Sequence, residues 1–77
     1  MNTAIENLTH DQRMLRYSIC VDYESFRDDN ADATPEAFLK AFEADEDWKE
    51  GYADRLKKAG EEFETVFREL YDRHYAN

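Results

Sequence analysis

The sequence predicts an all-α protein, a small bundle of three to four helices. It contains only two glycines and one proline, too few for the many tight turns of a sheet-rich architecture. Apolar residues also recur at helical spacing along most of the chain. Because 77 residues leave room for one hydrophobic core, we expect residues 1–77 to form a single acidic helical domain.

Two overlapping signals mark the start of the first helix. Thr3 with Glu6 and Thr9 with Gln12 both have the spacing of a capping box. An apolar face follows at steps of four, four and three: Leu15, Ile19, Tyr23 and Phe26. Residues 15–23 also alternate as a strand does, but no second candidate strand exists to pair with them. Helix is therefore favoured, and a strand would require pairing across a dimer.

The later helices have clearer boundaries. Thr34-Pro35-Glu36 combines a capping threonine with proline at the first helical position, and the helix it begins should run to about Ala44. From Trp48 onward, apolar positions keep helical phase to near the C-terminus. Gly60 interrupts this stretch, which is either one bent helix or two. Spare apolar surface on the C-terminal helix is a candidate contact for a homodimer.

The negative charge is concentrated in the middle of the chain. The net charge is -9, and residues 22–54 hold the whole surplus, with twelve acids against Arg27, Lys40 and Lys49. The flanking segments are each neutral. The central third should therefore carry a local negative potential.

Four acids of this central third follow steps of four, three and four, and on a helix they form one acidic stripe: Glu43, Asp47, Glu50 and Asp54. Neighbours on such a stripe lie about 5–6 Å apart, a spacing of the same order as successive phosphates on a nucleic-acid strand. A second acidic set extends the negative surface: Asp28, Asp29, Asp32 and Glu36. The competing interpretation is a merely solvated helix face.

No pattern in the sequence predicts catalysis or a bound metal. A glycine-rich phosphate loop is missing. Nothing in the sequence indicates that Ser18 or Ser25 meets the histidine and the acid that a serine nucleophile needs. The segment that begins at Asp28 resembles a calcium loop, but Ala33 replaces the required glycine and Leu39 replaces the bidentate glutamate. We therefore expect no enzyme activity, no metal and no cofactor.

The binding partner should be a protein with a basic, nucleic-acid-binding surface. Phosphates would repel a chain of net charge -9, so direct binding of nucleic acid is not expected. In size, charge and composition the chain resembles the small inhibitors that phages and mobile elements encode against host nucleic-acid enzymes. The alternative is a helical adaptor that binds through aromatic and aliphatic surface, with acidity serving solubility. Without an apolar run of about 18 residues, no membrane span is predicted, and a cytoplasmic location is expected.

Overall fold

Four helices pack together in a computed structural model that describes residues 7–31 and 33–76. The helices are α1 (His10–Asp29), α2 (Pro35–Ala44), α3 (Glu46–Ala59) and α4 (Phe63–His74). The described residues contain no strand, and none of their helices combines the length and apolar character that a membrane span needs. The all-α prediction is confirmed, and residues 15–23 are helix.

Helix α1 begins at the second of the two signals found in the sequence. The Thr9 side chain accepts a hydrogen bond from the backbone N–H of Gln12 at 3.1 Å, and the Gln12 side chain accepts one from the Thr9 N–H at 3.0 Å. This reciprocal pair satisfies two backbone donors at the helix start. The rival signal, Thr3 with Glu6, lies outside the described residues.

The start of α2 and the end of α3 also have local causes. Thr34 accepts a hydrogen bond from the backbone N–H of Ala37 at 3.0 Å, as the sequence predicts for a capping threonine. Gly60 adopts a left-handed conformation with φ of 70°, and its N–H donates to the Leu56 carbonyl at 2.9 Å. Glycine reaches this conformation without steric cost, and it ends α3 there. The stretch around Gly60 is therefore two helices.

The core draws buried side chains from every helix. Helix α1 packs against α3 and α4, and α2 packs against the same two helices. The buried apolar residues are Leu15, Ile19 and Tyr23 of α1, Phe38 and Phe42 of α2, Tyr52 and Ala59 of α3, and Phe63, Val66, Phe67 and Leu70 of α4. A core of this size depends on large side chains, since each aromatic ring removes about 150–250 Å² from water.

Aromatic rings meet at the centre of this core. The Phe38 ring lies 5.0 Å from the Tyr23 ring and 4.7 Å from the Phe67 ring, centroid to centroid. Phe42 stacks on Phe63 at 3.7 Å with the planes 5° apart. Aromatic pairs contribute about 0.5–1.5 kcal/mol beyond their burial. These contacts hold α2 against α1 and α4.

The apolar face of α4 is covered within the chain. Its residues Phe63, Val66, Phe67 and Leu70 are at most 6% exposed. Helices α1 and α2 cover these four residues, while Tyr71 of the same helix is only half-buried. A homodimer contact through the C-terminal helix stays a prediction. The large apolar side chains exposed in the described part lie on α1 instead.

Candidate functional site

The predicted acidic site is a solvent-exposed surface. Seven of its eight residues lie in the described part, and all seven are exposed: Asp28, Asp29, Glu36, Glu43, Asp47, Glu50 and Asp54. Asp32, the eighth, lies outside the described residues. Exposed carboxylates remain available to a partner, whereas buried ones would be committed to the fold.

The acidic stripe does not run along a single helix, as the sequence interpretation assumed. Glu43 lies near the end of α2, while Asp47, Glu50 and Asp54 lie on α3. These last three, here called the α3 acidic face, keep steps of three and four and share one side of their helix. That side is opposite Trp48 and Tyr52, which pack toward the core.

Asp45 causes this division. Its backbone has φ of -108° and ψ of 100°, an extended conformation that ends α2 and begins α3. Its carboxylate accepts a hydrogen bond from the backbone N–H of Trp48 at 3.0 Å, the bond expected of an aspartate cap. Glu46 and Asp47 follow in the first turn, where the helix dipole favours negative charge. The acidic run that suggested a stripe is thus partly the start signal of a new helix.

Two members of the second acidic set occupy an unfavourable place. Asp28 and Asp29 are the last residues of α1, and carboxylates at a helix C-terminus face the negative end of its dipole. Arg27 is the basic residue of the same turn. Glu36 is better placed, in the first turn of α2. The charges of Asp28 and Asp29 therefore oppose the stability of α1 rather than support it.

Basic residues neutralise part of the acidic surface. Lys49 Nζ lies 3.4 Å from a Glu43 carboxylate oxygen, and Lys58 Nζ lies 3.2 Å from one of Asp54. Arg68 approaches Glu36 at 4.0 Å. Such exposed pairs contribute about 0–1 kcal/mol and are easily exchanged for a partner's charges. The remaining four site acids form no ion pair within the described residues: Asp28, Asp29, Asp47 and Glu50.

A tighter ion pair joins the two neutral segments that flank the central third. The Arg16 guanidinium on α1 donates two hydrogen bonds to the Glu61 carboxylate, at 2.8 and 2.9 Å. Their side chains are 11% and 22% exposed. The hydrogen bond to Glu61 raises the pKa of Arg16, so this cation stays charged. It is committed to the turn before α4 and does not offset the acids of the central third.

One acid that the sequence interpretation counted as surplus charge serves the fold. The Asp22 carboxylate on α1 accepts a hydrogen bond from the Tyr52 hydroxyl at 2.6 Å and one from the Trp48 indole N–H at 3.3 Å. Burial, and then this bond to Asp22, raise the pKa of Tyr52. Asp22 therefore ties α1 to α3. In the sequence, the one sign of this role is that Asp22 directly precedes Tyr23, a residue of the buried face of α1.

A groove between α1 and α3 adjoins the α3 acidic face. It encloses about 430 Å³ and is lined on one side by Tyr17 and Val21 and on the other by Asp47, Trp48 and Arg55. Aromatic side chains beside charged ones are frequent in protein-binding surfaces. The groove thus places one unpaired carboxylate, that of Asp47, next to apolar surface.

The side chains of this site are exposed carboxylates beside a partly apolar groove. Among the described residues, no three His, Cys, Asp or Glu side chains converge as metal ligands would. Burial raises the pKa of the Cys20 thiol, which keeps it in its less nucleophilic protonated form. Comparison of the chain with protein-family models, with curated proteins and with solved structures finds no match in any of the three.

Proposed function

We propose that this protein is an acidic protein-binding module, an inhibitor or regulator that presents carboxylates to a basic, nucleic-acid-binding surface of a partner protein. The observation that carries the proposal is the α3 acidic face, whose three carboxylates are exposed and of which Asp47 and Glu50 form no ion pair within the described residues. Such a module would act by nucleic-acid mimicry, as inhibitors of the phage or mobile-element type do.

The geometry of α3 supports mimicry of a short phosphate run. Residues three and four apart on a helix face lie about 5–6 Å from one another, the order of a phosphate step. Asp47 to Asp54 spans seven residues, about 10 Å of helix axis. The face therefore corresponds to about two phosphate steps, and Glu43, near the end of α2, would provide a further contact.

The test is a pull-down from the source cell with three immobilised proteins. These are the wild type, the site variant Asp47→Lys/Glu50→Lys, and the control variant Glu62→Lys/Asp72→Lys. Both variants change the net charge equally, and both remove one acid from the start of a helix, Asp47 from α3 or Glu62 from α4. Any difference between them therefore reports where the charge lies, rather than how much there is.

The expected result is a protein that the wild type and the control capture and the site variant does not. Salt should release it, because the screening length falls from about 10 Å at 0.1 M to about 3 Å at 1 M ionic strength. Added duplex DNA or RNA should also release it by competing for the same basic surface. Equal capture by the site variant, or capture that nucleic acid leaves unchanged, would contradict the proposal.

A helical adaptor is the second candidate, and one observation favours it. Tyr17 is 67% exposed beside the α1–α3 groove, where it could anchor an apolar partner. Phe67 on the C-terminal helix is only 1% exposed and is not accessible for such a contact. For an adaptor, capture should resist salt and be lost in Tyr17→Ser.

A further inference from the structure

Helix α1 has an apolar stripe on its solvent side. The exposed large hydrophobic side chains in the described part of the chain are Met14, Tyr17 and Val21, at 47%, 67% and 44%. Their spacing of three and four residues places them along one face. This set is called the α1 apolar stripe below.

The stripe faces away from the core. The buried residues of α1, Leu15, Ile19 and Tyr23, lie on the opposite side of the same helix. Helices α3 and α4 pack on that buried side. Tyr17 and Val21 border the α1–α3 groove on the outer side but are still 67% and 44% exposed. An aligned set of exposed apolar side chains of this kind is typical of an interaction surface.

Charges flanking the stripe have opposite signs at its two ends. Arg13 precedes it on the side of α4, where it lines a groove with Glu69 and Arg73. Glu24 follows it on the same side, where it accepts a hydrogen bond from the Tyr75 hydroxyl at 3.0 Å. Arg13 and Glu24 are eleven residues apart, about 16 Å along the helix, so they do not pair within one chain.

We propose that two copies of this chain pair through α1 in antiparallel orientation, about a two-fold axis near Tyr17 and Ser18. This register places Met14 of one copy against Val21 of the other. A two-fold axis of this kind brings together residues on the same flank of the two helices. Arg13 of each copy then lies beside Glu24 of the second copy, within one helical turn.

Charge complementarity selects this occupant and this orientation. Antiparallel pairing brings Arg13 and Glu24 of the two copies to the same flank, so opposite charges meet and the two helix dipoles oppose each other. In a parallel pair the two-fold axis would run along the helices and place the two Arg13–Glu24 flanks on opposite sides of the contact. Within residues 7–31 and 33–76, one Arg13 nitrogen donates to the Leu8 carbonyl at 3.2 Å, and its guanidinium has five N–H donors in all. Because one helix per copy forms the contact and each chain is strongly acidic, the dimer should be weak.

The test measures the dimer dissociation constant by sedimentation equilibrium, up to millimolar protein, for the wild type and three variants. Arg13→Glu and Glu24→Lys each replace two attractive contacts by repulsive ones, so each should weaken the dimer by roughly tenfold. The double variant Arg13→Glu/Glu24→Lys should restore it, and an equimolar mixture of the two single variants should form a mixed dimer. Far-UV circular dichroism checks that each variant is folded.

Tyr17→Lys provides an independent check, because Tyr17 lies at the centre of the contact and is 67% exposed in the single chain. This variant should fold and remain monomeric. A wild type that stays monomeric at millimolar concentration would overturn the proposal. So would a dimer that survives Tyr17→Lys, or one that the double charge exchange fails to restore.

Discussion

Replacing Asp22 by alanine should destabilise the protein far more than replacing any exposed acid. The substitution removes the acceptor of a 2.6 Å hydrogen bond from the Tyr52 hydroxyl and of a 3.3 Å bond from the Trp48 indole. Tyr52 is only 2% exposed, so its hydroxyl would be left with little access to water. The contact between α1 and α3 would lose its polar link.

The size of the effect follows from these contacts. A hydrogen bond to a charged group contributes about 1.5–3 kcal/mol, and an unpaired buried hydroxyl adds a desolvation cost. We expect Asp22→Ala to lower the free energy of unfolding by about 2–3 kcal/mol. Asp22→Asn retains a neutral acceptor and should cost about 1 kcal/mol. Since a domain of this length has about 4–12 kcal/mol of stability, the alanine variant loses a large part of it.

The assay is urea unfolding followed by far-UV circular dichroism, because the fluorescence of Trp48 would respond directly to the change beside it. Glu50→Ala on the exposed face of α3 is the matched control and should stay within about 0.5 kcal/mol of the wild type. A double-mutant cycle with Tyr52→Phe should give a coupling energy of about 1–2 kcal/mol. Additive effects, or an Asp22→Ala cost as small as the control's, would refute the reasoning.

Two further predictions concern glycine and tyrosine. Gly51→Ala within α3 should stabilise the protein by about 0.5–1 kcal/mol, whereas Gly60→Ala should destabilise it by about 1–2 kcal/mol. An added Cβ meets no atom within 4 Å at either site, but Gly60 has φ of 70°, which strains any residue with a side chain. Urea unfolding in which both variants change the free energy of unfolding in the same direction would contradict this prediction. Burial, and then its bond to Glu24, raise the pKa of Tyr75 from 10.0 to about 12. As the pH rises, Tyr75 therefore loses its proton in the unfolded chain first, and the free energy of unfolding should fall between about pH 10 and 12. The fall should be less steep in Tyr75→Phe. Equal pH dependence in the two proteins would refute this prediction.

Local signals in the sequence predicted much of the fold. Thr9 with Gln12 and Thr34 before Pro35 cap the helices that they were expected to begin. Each signal depends on bonds between residues three apart, so neighbouring residues alone determine it. The sequence identifies Gly60 as an interruption but leaves open one bent helix or two. The left-handed conformation of Gly60, which ends α3, decides for two.

The candidate site was harder to predict. The sequence interpretation places Glu43 and Asp47 on one continuous helix. Asp45 followed by two further acids is, however, also a typical signal for the start of a helix. Asp22 was counted as surface charge because its partners, Trp48 and Tyr52, are 26 and 30 residues away. Periodicity can assign a residue to a face of its own helix, but it cannot show which neighbouring helix supplies a hydrogen-bond donor.

The corner at Asp45 has a consequence for how the acidic surface would meet a partner. One residue ends α2 and begins α3, so no linker separates Glu43 from Asp47. A surface held this rigidly needs no ordering when it docks, and little conformational entropy would be lost on binding. The backbone conformation of Asp45 also sets the direction of the carboxylates, since its φ and ψ determine the angle at which α3 leaves α2. Changes in this single junction would therefore re-aim the acidic surface without altering any of its side chains.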